Sequence, residues 1–112
     1  MKEGTLNWWG GKYAAMAGPP FALLYNWITG YSADFSENGG GVFIPQSWIE
    51  ITSAAEMENW LTLINAPVPP YSADDLKAVC KVINPSATLD DLKALALAST
   101  HDDVVARRAA GN

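Results

Sequence analysis

The chain has 112 residues, 49% of them apolar and 17% charged, which is the balance of one globular domain and excludes an intrinsically disordered segment. Its formal net charge of -5 argues against electrostatic attraction to nucleic acid or to an anionic membrane, and its only cysteine, Cys80, excludes an intrachain disulfide framework. The excess of acid lies in residues 1 to 71, where Lys2 and Lys12 face Glu3, Asp34, Glu37, Glu50, Glu56 and Glu58.

The N-terminus lacks the basic start, apolar core and cleavage site of a secretory signal, and the longest apolar stretch, near Ala14 to Ile28, is interrupted by Gly18-Pro19-Pro20 and Asn26. No membrane span is expected, and the localisation expected is cytoplasmic or within a virion. Thr5 to Trp9 is the first segment with strand character. A helix is predicted from Pro20, at its N1 position, to Gly30; Phe21, Leu24, Tyr25 and Ile28 share one face, and Leu23 and Trp27 leave the other apolar too. Such a helix is buried on both sides or covered by a partner.

From Gly30 to Gly41 the composition is that of turns, and Asn38-Gly39-Gly40-Gly41 reads as a flexible loop. Val42-Phe43-Ile44 and Trp48-Ile49-Glu50-Ile51 have strand character, with Pro45 confining them to an edge or a bulge and Thr5 to Trp9 as the pairing candidate. Ser53-Ala54-Ala55-Glu56 is a capping box opening a helix to about Ile64, whose Met57, Trp60, Leu61 and Ile64 form a core stripe. Pro67-Val68-Pro69-Pro70 is a stiff connector.

Beyond the connector, Ser72-Ala73-Asp74-Asp75-Leu76-Lys77-Ala78-Val79 returns sixteen residues later as Thr88-Leu89-Asp90-Asp91-Leu92-Lys93-Ala94-Leu95, an internal repeat with the same cap, acidic pair and apolar spacing. In the first copy Leu76, Val79, Cys80 and Ile83 make a stripe on a helix stopped by Asn84-Pro85; a last helix starts at Thr100-His101-Asp102-Asp103 and closes at Gly111. The fold class expected is mainly α with a small β element: an irregular N-terminal half with one helix and a short β-ribbon, then a C-terminal stack of short helices. The organisation is a glycine- and aromatic-rich part, 1–66, the connector 67–70 and a repeat-like part, 71–112, together one compact unit.

Residues 84 to 112 resemble the variant leucine-rich repeat, a HEAT-like helical repeat. The likeness rests on Asn84-Pro85, on Thr88-Leu89-Asp90-Asp91-Leu92 leading into Leu95-Ala96, and on the closing Val105-Ala106-Arg107-Arg108-Ala109-Ala110-Gly111-Asn112. It covers about a quarter of the chain and implies a protein-binding scaffold, not an activity.

Candidate chemistry is sparse. His101 with Asp102 and Asp103 is the one His and carboxylate cluster, but acidic pairs at Asp74-Asp75 and Asp90-Asp91 hold the same first-turn position, so capping is the favoured reading. Cys80 lies in an apolar stripe with no base nearby. Gly10-Gly11-Lys12 and Asn38 to Gly41 lack the spacing of a phosphate loop, and Arg107-Arg108 complements a helix C-terminus. No catalytic, metal or cofactor-binding residue is predicted, and no cofactor.

Trp8, Trp9, Trp27, Trp48 and Trp60 are the unusual feature. Trp48 and Trp60 are assigned to the core, and Trp8, Trp9, Trp27, Tyr31 and Phe35 to a partner interface. The function expected is a non-enzymatic structural or assembly subunit, such as a component of a phage virion, touching protein partners or copies of itself. The alternative is a small acidic inhibitor or adaptor that binds a single protein target.

Overall fold

A computed structural model describes residues 9–11, 17–65, 71–98 and 100–109. The fold is mainly α with a small β element. Two short strands, β1 (Trp9–Gly11) and β2 (Ile49–Ile51), pair antiparallel with Gly10 opposite Glu50. Five helices accompany them among the described residues: α1 (Gly18–Asn26), α2 (Ala54–Ile64), α3 (Ala73–Ala78), α4 (Leu89–Leu97) and α5 (His101–Ala109). None is long and apolar enough to cross a membrane.

Four of the helices start as their sequences require. Ser53 with Glu56, Ser72 with Asp75, Thr88 with Asp91 and Thr100 with Asp103 each exchange reciprocal hydrogen bonds, the hydroxyl accepting from the N3 amide and the carboxylate from the cap amide. The carboxylates thereby satisfy amides that a helix start leaves unpaired. The sixteen-residue repeat is visible in the packing as well. Cys80 and Ala96 occupy corresponding buried positions, and Leu92 is buried where its counterpart Leu76 is half-buried.

The core has two centres. Ala22, Phe35, Val79, Cys80, Ala87 and Leu92 form one, joined by Leu23, Tyr25, Tyr31, Ile44, Leu89 and Leu95; Ile49, Ile51, Trp60 and Val104 form the other, joined by Met57 and Leu63. Each centre draws on residues from both sides of the 67–70 connector. Helix α1 packs on α3 and α4, and α5 sits on β2 and α2 through Val104.

Several expectations are corrected. The second strand is Ile49–Ile51, and its period-two pattern turns Ile49 and Ile51 inward and leaves Glu50 and Trp48 outward, so Trp48 is 65% exposed and not core. Its partner is Trp9–Gly11, beyond all but the last residue of the expected Thr5 to Trp9; residues 5–8 lie outside the described residues. Residues 42–44 form no strand: Ile44 packs on the first core centre while Phe43 points out. Leu61 is exposed, whereas Met57 and Trp60 pack inward; the side chain of Ile64, and Gly111, lie outside the described residues.

Asn38-Gly39 is a tight turn, not a flexible loop. Both residues have positive φ, 51° and 75°, and the Gly40 amide donates to the Glu37 carbonyl at 2.9 Å, as in a type I′ turn. Glu37 fixes this turn to the body of the protein through the Lys93 ammonium, and its carboxylate also accepts from the Phe43 amide. The Lys93 bond, then that of Phe43, holds the Glu37 carboxyl below the usual range.

Helix α3 is shorter than expected. It stops at Ala78 because a side chain from α1 takes the backbone groups that the next turn would use. The Asn26 amide donates to the Val79 carbonyl at 2.9 Å and its oxygen accepts from the Lys81 amide at 2.7 Å. The chain then turns, with the Ile83 and Asn84 amides both donating to the Cys80 carbonyl and the Asn84 side chain capping the Ala78 carbonyl. Ile83 therefore leaves the stripe of Leu76, Val79 and Cys80 and is exposed.

Candidate functional site

Helix α1 decides which apolar surface the protein shows. Pro19, Ala22 and Asn26 are its buried residues, and they lie on one side of the helix. That orientation is fixed by the two bonds of Asn26 and by the close approach of Gly18 to Tyr71. A methyl group on Gly18 would come within 2.6 and 2.9 Å of the Tyr71 ring and 3.3 Å of Leu76. With Ala22 and Asn26 inward, the predicted stripe is turned the other way: Phe21 is 61%, Leu24 59% and Ile28 72% exposed. Only Tyr25 of that set is half-buried, stacked on Phe21 with ring centroids 6.4 Å apart.

Below Asn26 the helix widens into a π-type turn, Trp27–Tyr31, closed at Gly30 where φ is 97°. The wider turn brings the Trp27 ring over the following loop, and its indole N–H donates to the Phe35 carbonyl at 2.7 Å. An apolar groove of about 230 Å³ runs beside the exposed ridge, lined by Pro20, Leu23, Leu24, Trp27, Gly41 and Val42. Two of the polar groups at this surface are already engaged or absent. The Thr29 hydroxyl donates to the Tyr25 carbonyl at 2.7 Å, and Pro19 and Pro20 carry no N–H at the helix start.

Of the five residues assigned to an interface, the structure brings only Trp27 to this surface, 40% exposed. Phe35 is corrected outright. It is fully buried in the first core centre, because the turn after Tyr31 folds it under α1 with its amide donating to the Tyr31 carbonyl. Tyr31 is half-buried against the same centre, with the Lys81 ammonium 6.0 Å from its ring centroid. Trp8 lies outside the described residues, as does the side chain of Trp9. The residues that sequence reasoning missed as surface are Phe21, Leu24, Ile28 and Phe43. One signal was available: Asn26 sits among apolar neighbours, and a polar side chain that can be satisfied only by backbone marks the inward face.

A second hollow, of about 270 Å³, lies between β2 and the starts of α2 and α5, lined by Trp48, Glu50, Glu56, Thr100, His101 and Asp102. The structure separates the His and carboxylate cluster. Asp103 accepts from the Thr100 amide in the capping box of α5, while His101 and Asp102 line the hollow with Nδ1 and Oδ1 3.3 Å apart. The His101 ring lies tilted against Trp60, 6.1 Å between centroids, and its Nε2 is shielded from solvent with no hydrogen-bond partner among the described residues. Glu56 spends its carboxylate on the amides of Thr52 and Ser53, and the Thr52 amide first of all lowers its pKa. The described residues hold no group of three or more His, Cys, Asp or Glu arranged to ligate a metal.

Cys80 is buried in the first core centre, where burial raises its thiol pKa and keeps the sulfur in its less nucleophilic form. Arg107 lies over the Tyr71 ring at 5.0 Å and donates to the Ala98 carbonyl, an arrangement within the chain itself.

Comparison with protein-family models, with curated proteins and with solved structures returns no match.

Proposed function

We propose that this chain is a non-enzymatic structural or assembly subunit of a multi-protein particle, a virion being the instance favoured, that makes its protein contacts through the outer face of α1. The observation that carries this reading is the ridge of Phe21, Leu24 and Ile28, three large apolar side chains more than half exposed on a helix whose buried face holds only Pro19, Ala22 and Asn26. Surface apolar residues scattered singly are ordinary, but a contiguous ridge beside an apolar groove is the character of a contact surface. The resemblance of residues 84–112 to a repeat scaffold points the same way. The test is the size of the complex that holds this chain in its native extract. A particle larger than the 12.0 kDa chain that falls to the chain's own mass on Leu24→Asp supports the reading; an unaltered size overturns it.

One observation favours the alternative of an acidic adaptor or inhibitor for a single target. Trp48 stands exposed beside Glu50 and Asp102 in the second hollow, a combination suited to a basic side chain. An adaptor of this kind loses its target on Trp48→Ala and keeps it on Leu24→Asp, the reverse of the first reading.

A further inference from the structure

Resting on the reading of α1 as a contact surface, we propose that its occupant is a second copy of this chain, paired about a two-fold axis so that Phe21 of each copy enters the groove of the other. A two-fold contact requires one patch to be complementary to itself. The outer face of α1 meets that requirement, since it carries both a ridge, Phe21, Leu24 and Ile28, and a groove bounded by Leu23, Leu24, Trp27 and Val42. An engineered cavity of about 150 Å³ admits benzene, so a groove of about 230 Å³ has room for a phenyl ring. Leu24 belongs to ridge and groove alike, which places it nearest the axis.

Charge permits a second copy and disfavours a lipid surface. Residues 13 to 33 include no Asp, Glu, Lys or Arg, in a chain whose net charge is -5. This neutral face is where two acidic copies meet with least repulsion. The acidic groups just beyond it are engaged: Asp34 with Lys81 at 2.9 Å and Glu37 with Lys93. A helix that lies on a lipid surface carries Lys and Arg on its polar side, and α1 has neither.

Dehydration of the helical part of the face leaves few polar groups stranded. The Trp27 N–H, the Thr29 hydroxyl and the Phe21 amide are bonded within the chain, and Pro19 and Pro20 have no amide hydrogen to orphan. The exposed parts of Phe21, Leu24, Trp27 and Ile28 amount to roughly 500 Å² per copy, or roughly 1,000 Å² for the pair, the lower bound of a specific interface. A weak, concentration-dependent dimer is the state this area supports.

The test uses the full chain carrying Leu24→Cys, oxidised mildly under native conditions, with the unaltered chain and its buried Cys80 as control. The expected result is a covalent dimer from Leu24→Cys and none from the control, with light scattering giving twice the 12.0 kDa chain mass at high concentration. Phe21→Ala is expected to weaken the dimer at least about tenfold, the loss expected for an anchor residue. A light-scattering mass that climbs past twice the 12.0 kDa chain mass, and falls back on Leu24→Asp, overturns the two-fold pairing and leaves the contact face standing. A purified monomer whose native complex is still broken by Leu24→Asp overturns the second copy in favour of a different protein. Association indifferent to Phe21, Leu24 and Ile28 overturns both readings.

Discussion

Asn26 and Val79, 53 residues apart, are joined by a hydrogen bond from the Asn26 side-chain amide to the Val79 carbonyl at 2.9 Å, in the buried seam between α1 and the end of α3. The same side chain accepts from the Lys81 amide at 2.7 Å, so one asparagine satisfies two backbone groups that no longer belong to a helix. This pair of bonds both ends α3 and turns the outer face of α1 to solvent.

Removing the amide leaves buried donor and acceptor unpaired, so Asn26→Ala is expected to cost about 2–5 kcal/mol in urea unfolding. Asn26→Asp separates the two bonds. Its oxygen still accepts from Lys81, but an ionised carboxylate faces the Val79 carbonyl, and only the protonated acid can donate to it. The deficit of Asn26→Asp relative to the unaltered protein should therefore shrink as pH falls toward 4.

Gly18 and Gly30 are sensitive for different reasons, which a pair of alanine substitutions distinguishes. At Gly18 the new methyl group collides with the Tyr71 ring, and an overpacked contact of this kind costs about 1–3 kcal/mol. At Gly30 there is open space, but φ is 97°, so the cost of about 1 kcal/mol is conformational. Tyr71→Ala should relieve Gly18→Ala and leave Gly30→Ala unchanged in a double-mutant cycle read by thermal unfolding.

The capping boxes make stability depend on acid. Threonine hydroxyls lower the pKa of Asp91 and Asp103, the Thr52 amide lowers that of Glu56, and the Lys93 bond lowers that of Glu37. Because each folded value lies below its unfolded one, the stabilisation is complete above the unfolded values and is lost as pH falls through the folded ones. Melting temperature should be level near neutral pH and fall from about pH 5 downward. Thr88→Ala should flatten that fall and itself cost about 1 kcal/mol at pH 7.

What was legible in the sequence was local. Ser53, Ser72, Thr88 and Thr100 announced four helix starts because cap chemistry needs only four consecutive residues. The alternation of Ile49, Glu50 and Ile51 likewise carried the second strand, although the place of Trp48 in the same alternation puts it outside and not in the core to which it is assigned. What was not legible depends on partners distant in the chain. No window around Ile83 reveals that Asn26 will end its helix, and the apolar stripe of α1 has the spacing of a core face although Ala22, a smaller residue, supplies the packing. Phe35 was lost to the surface for the converse reason: a turn-rich neighbourhood hides the fold-back that buries it. Of the exposed face of α1, Trp27 alone was anticipated as surface, while Phe21, Leu24 and Ile28 were recognised as one face without its direction.

Light scattering over a concentration series, run on the unaltered chain beside Leu24→Asp, reads whether the outer face of α1 is where this protein meets its own kind. Leu24 is more than half exposed, so the substitution should leave the fold intact, which far-ultraviolet circular dichroism verifies. The mass should climb from 12.0 kDa toward twice that value for the unaltered chain and stay at 12.0 kDa for Leu24→Asp. Identical masses for the two proteins at every concentration would contradict it.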